Sequence, residues 1–78
     1  MYITSKAINA IKESEKAKRE LTYQLEISYN KLYRNLNDNP KNGLFTTHGA
    51  TSIISAETGL KVNQILTEKE PAKKIQTK

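Results

Sequence analysis

Apolar residues recur at helical spacing from Ile3 to Leu66, and the polar residues between them mark where each helix begins and ends. Ile3, Ala7, Ile8 and Ile11 form one face of a helix predicted from about Thr4 to Glu15. Ala17, Leu21 and Leu25 form the inward face of a second, from about Ala17 to Leu25. No Pro or Gly separates the two, and Ile3, Ala7, Ala10, Ser14, Ala17 and Leu21 also follow 4-3 spacing. One continuous helix therefore competes with two, although a seam so rich in Ala and Ser suits a coiled coil poorly. The third apolar stripe is Tyr29, Leu32, Tyr33 and Leu36, at i, i+3, i+4 and i+7, with Ser28 as its N-cap. Its opposite face holds Asn30, Lys31, Arg34 and Asn35, with no acid among them.

Turn formers then crowd together from Asn37 to Gly43, and Pro40 disfavours helix at Asn39, so the third helix is predicted to stop there. Leu44 and Phe45 return the chain to the core. Thr46 or Thr47 caps a fourth helix that runs to about Thr58, with Ile53 and Ile54 buried. Gly59 is the residue free to take the left-handed backbone that closes it. Leu60, Val62, Ile65 and Leu66 supply a last short helix, and from Thr67 the chain reads as a frayed, charged tail. The expected fold is all-α: a compact bundle of about five short helices with no convincing strand, as a domain over residues 1–67 and a flexible tail over 68–78.

Composition narrows the function classes. A chain of 78 residues has room for one small domain with a single modest core. It has no Cys, hence no disulfide and no thiolate metal site, and a reducing cytoplasm is allowed. No apolar run approaches the roughly 20 residues needed to cross a bilayer, so no membrane partner is expected. His48 is the single histidine, without a Cys or an acid pair near it in sequence. No Ser-His-Asp set or paired-carboxylate site stands out, so neither an enzyme, a metal, a cofactor nor a small-molecule ligand is expected. Thirteen Lys and Arg against eight Asp and Glu give a net charge of +5 and a pI near 9.6. That balance favours polyanionic partners through counterion release.

Two stretches carry a family resemblance. Leu21-Thr22-Tyr23-Gln24-Leu25-Glu26-Ile27-Ser28, followed by Leu32, resembles the helix-turn-helix of the lambda-repressor-like, Cro-type (XRE-like) DNA-binding family. Ile54 to Leu66, with Ala56, Gly59, Leu60, Val62, Ile65 and Leu66 in step, is similar to that family's closing pattern. Together they cover about residues 14 to 66. The chain departs from the pattern in three ways. Glu26 stands at the turn where Gly is usual, Thr22 stands where a small Ala lets the two helices approach, and the segment from Asn37 to Thr47 is longer.

The resemblance implies a bacterial or phage-encoded repressor of the Cro type, acting in the cytoplasm on the nucleoid by occupying an operator in double-stranded DNA. Its third helix would enter the major groove with Tyr29, Asn30, Lys31 and Arg34 at the bases. Asn30 suits adenine and Arg34 suits guanine. Tyr29 has a second reading, because the helical stripe turns it toward the core. Lys18, Ser28, Arg19 and Lys41 are the phosphate candidates, with Lys16 beside them. Such proteins usually pair on two half-sites, so a weak homodimer formed on DNA is expected, through Val62, Ile65, Leu66 and Ile75, against the competing reading that Ile65 and Leu66 simply finish the core, which is favoured for Leu66. The competing class is a protein-binding module on the same fold, an adaptor, antitoxin or phage-encoded inhibitor whose basic third helix meets an acidic protein.

Overall fold

The computed structural model describes residues 1–69, and the tail residues from Glu70 onward, Ile75 among them, lie outside that range. The order is strand β1 (Tyr2–Ile3), helices α1 (Ser5–Lys12), α2 (Glu15–Leu25) and α3 (Tyr29–Asp38), a 3-10 turn (Leu44–Thr46), helices α4 (His48–Thr58) and α5 (Val62–Ile65), and strand β2 (Leu66–Thr67). The five expected helices are all there.

Hydroxyl side chains set four of their starts. Thr4, Ser14, Ser28 and Thr47 each stand in extended backbone and accept from the N–H three residues on, those of Ala7, Ala17, Lys31 and Ala50, at 3.1–3.3 Å. Each cap satisfies a donor that the first helical turn leaves orphaned. Ser14 decides between one long helix and two. Taking φ −116° and ψ 108° to cap α2, it takes the chain out of helical geometry, and α1 ends before it. The break lets both Ile11 and Leu21 reach one core.

That core consists of Ile3, Ala7, Ile11, Leu21, Leu32, Leu36, Phe45, Ala50, Ile54 and Ile65, drawn from every helix, the 3-10 turn and β1. Ile54 is fully buried and Ile53 half-buried, so the expected pair shares the core unequally. Gly59 closes α4 at φ 78° as its position predicts.

The short strands correct the strand-free expectation. β1 and β2 pair antiparallel with Ile3 opposite Leu66 and Tyr2 opposite Thr67, so Thr67 belongs to the fold and not to the tail. On the other side of β1, the buried Asn39 side chain acts as a third strand. Its Oδ1 accepts from the Ile3 N–H at 3.0 Å, and its Nδ2 donates to the Ile3 carbonyl at 2.9 Å. Asn39 itself lies in left-handed backbone, φ 44°, as the closing residue of α3.

Candidate nucleic-acid interface

The α2–α3 junction is a three-residue turn, Glu26-Ile27-Ser28. Glu26 adopts φ 56° and ψ 48°, the left-handed backbone for which a glycine is usual. Its N–H donates to the Tyr23 carbonyl and that of Ile27 to the Thr22 carbonyl, the paired bonds of a Schellman closure. Ile27 then packs against the core. Thr22, the second departure from the family pattern, turns its hydroxyl back onto its own helix, donating to the Lys18 and Arg19 carbonyls at 3.0 and 2.9 Å. α2 and α3 are thus two helices joined by a closed three-residue turn.

On α3, Leu32 and Leu36 are buried, Tyr33 is half-buried, and Asn30, Lys31 and Arg34 are exposed. The first turn carries no acid. Asn35 is half-buried and spends an amide N–H on the Lys31 carbonyl of its own helix. Tyr29 corrects the helical-stripe reading: it is 42% exposed and outside the core. It is the first residue of α3, where the stripe runs past the edge of the packed layer, so Tyr29 and Asn30 stand together at the exposed start of the helix.

The phosphate candidates separate. Arg19, Ser28 and Lys41 are exposed. The Ser28 hydroxyl accepts from the Lys31 N–H, which leaves its own proton to donate. Lys41 lies in the loop beyond the C-terminal end of α3, a helix length of roughly 15 Å from Tyr29. Lys16 is exposed on α2, 3.8 Å from the Glu57 carboxylate.

Lys18 is placed differently from any solvated lysine. Only 7% of its side chain is exposed, and its ammonium donates to the Tyr33 hydroxyl at 2.9 Å and lies 3.0 Å from the Glu15 carboxylate. The ammonium stands 5.5 Å from the ring centre, so it lies out beyond the hydroxyl along the ring edge rather than over the ring face. The contact is a hydrogen bond and not a cation–π pair. The Tyr33 hydroxyl first, and the Glu15 carboxylate second, hold the Lys18 ammonium above the ordinary lysine range.

Sequence reasoning passed over two residues here. Tyr33 read as a core residue, although a tyrosine on a core stripe needs a partner for its hydroxyl, and that requirement was the available signal. Tyr23, 77% exposed, is the most exposed large apolar side chain of α2, off the stripe of Ala17 and Leu21. Its place off the apolar stripe was visible from spacing alone. Among the described residues no group of three or more His, Cys, Asp and Glu is arranged to hold a metal, and no helix is long and apolar enough to cross a membrane. Scans of the chain against protein-family models, curated proteins and solved structures return no significant match.

Proposed function

We propose that the chain is a sequence-specific double-stranded DNA-binding transcription regulator, a small Cro-like repressor that docks α3 in the major groove. One observation carries the reading: α3 exposes Asn30, Lys31 and Arg34 within its first six residues, with no acid in its first turn, on a helix fixed to α2 by a three-residue turn. Amide and guanidinium groups are the side chains that read adenine and guanine edges bidentately. Tyr29, exposed beside Asn30, joins them as a base or sugar contact. Arg19, Ser28 and Lys41 are the phosphate contacts of this reading, and the net charge of +5 supplies non-specific attraction. The protein acts by occupancy in a bacterial or phage-infected cytoplasm, without cofactor or catalysis, and pairs weakly with a second copy on its operator.

Selection from random duplex DNA tests it. A recovered consensus is the expected result, and Arg34→Ala then relaxes preference at one base pair at a cost of about 1–3 kcal/mol. Binding to an acidic protein, with no sequence preference on duplex DNA, would instead assign the same basic face to a protein partner.

A further inference from the structure

We infer that Lys18 is a positioning residue for α3: held between the Tyr33 hydroxyl and the Glu15 carboxylate, it fixes the rotation of that helix about its own axis. The inference rests on the DNA-binding reading, which it deepens by separating the residues that touch DNA from the one that aims them.

Three observations converge on it. First, a lysine so nearly buried is costly unless it is partnered: Glu15, three residues earlier on α2, supplies the opposite charge, and the Tyr33 hydroxyl on α3 takes a hydrogen bond across the junction. Second, its partner on α3 is the residue immediately before Arg34 and three after Asn30. A helix side chain stands roughly 6 Å from the axis, so a rotation of about 10° displaces a reading group by about 1 Å. That displacement is enough to spoil a bidentate hydrogen bond, whose donor–acceptor distances span only a few tenths of an ångström. Third, the contacts of α3 with the core through Leu32 and Leu36 are apolar and non-directional, and its other directional ties, Lys12 to Asn37 and Asn39 to Ile3, lie at its far end, away from Asn30 and Arg34. The Lys18–Tyr33 bond is directional and joins α2 to α3. Of the three ammonium protons two face Tyr33 and Glu15, and the third is the only one left for a phosphate.

The test uses the full chain with Lys18→Met, Tyr33→Phe and the double variant. Tyr33→Phe removes a single oxygen and keeps the apolar packing, so it reports even if Lys18→Met folds poorly. Binding is measured to a selected duplex and its single-base variants, across a salt series. The expected result is that each single variant loses at least about fivefold in preference at the base pairs read by Asn30 and Arg34, the lower end of what one bidentate contact discriminates. The double variant loses no more than either single one, and the salt slope stays at its wild-type value. A salt slope lowered by about one in Lys18→Met alone, with Tyr33→Phe unchanged, would make Lys18 a phosphate contact and overturn the inference. Wild-type preference in both variants would overturn it too. If the wild-type chain shows no duplex preference, the DNA reading fails, and amide hydrogen exchange still decides the positioning role. Protection over Tyr29 to Asn35 then falls in both variants relative to α4, and unchanged protection refutes the tie.

Discussion

Glu26 carries a backbone conformation that costs an L-residue about 1–2 kcal/mol, and it does so at the turn that sets α3 against α2. Glycine at this position removes that strain but adds freedom to the unfolded chain. Glu26→Gly is therefore expected to stabilise by a net of about 0.5–1 kcal/mol, read as a higher denaturation midpoint with an unchanged slope. A lower midpoint would mean that the Glu26 side chain makes a contribution its exposed position does not suggest. The turn was legible from the sequence, but its left-handed residue was not, since Glu26 is not a residue type that favours that backbone. The placement of Lys18 was not: its partner Tyr33 is distant in sequence, and spacing on one helix says nothing of a bond between two. For Tyr29, which the stripe placed in the core or at its boundary, the core proper stops short, since a stripe continues to the first residue of a helix whether or not the core extends that far.

At the scale of elements, the helices were legible from their apolar stripes, joined by a hydroxyl cap at Ser28 and Thr47, whereas the break at Ser14 was not, since Ser14 also fits the seam of one continuous helix. The strands were not, because two residues are too few to show alternation. The exposed face of α3 was visible in the sequence as a block of amides and cations, and burial trims it by Asn35 alone. Leu21 on α2 and Leu32 on α3 are both fully buried. Truncating either to Ala is expected to cost about 2–5 kcal/mol, through lost burial plus the cavity left behind. In a chain this small that removes much of the total stability. Urea denaturation of both variants checks it, and midpoints near wild type would show that the core closes around the gap.

Over the whole molecule, assembly is the open quantity, and burial has thinned the surface on offer for it. Ile65 is fully buried and Leu66 is half-buried in β2, so neither is free to build a self-complementary patch. Val62, 53% exposed, is the one expected contact among the described residues that stays open, and Ile75 lies outside them. A patch of that size falls far below the roughly 1,200 Å² of a stable interface. Sedimentation is accordingly expected to give a monomer alone and two copies only on a selected operator with inverted half-sites. One copy per operator on a site without such symmetry would exclude pairing.

The sheet that ties Ile3 to Leu66, with Asn39 on its far side, also orders events in time. Its strands lie nearly the whole described chain apart, whereas α2, the turn and α3 are continuous in sequence. Closing the longer loop loses more chain entropy before any contact rewards it, so the helices assemble first and the strand clip snaps shut afterwards. Asn39→Ala, which strands the N–H and carbonyl of Ile3, is therefore expected to speed unfolding while leaving the refolding rate nearly untouched. Stopped-flow traces in urea would show the opposite pattern, slower refolding, if the clip were part of the nucleus. The clip then governs how long a folded molecule lasts, while the helices govern how soon it forms.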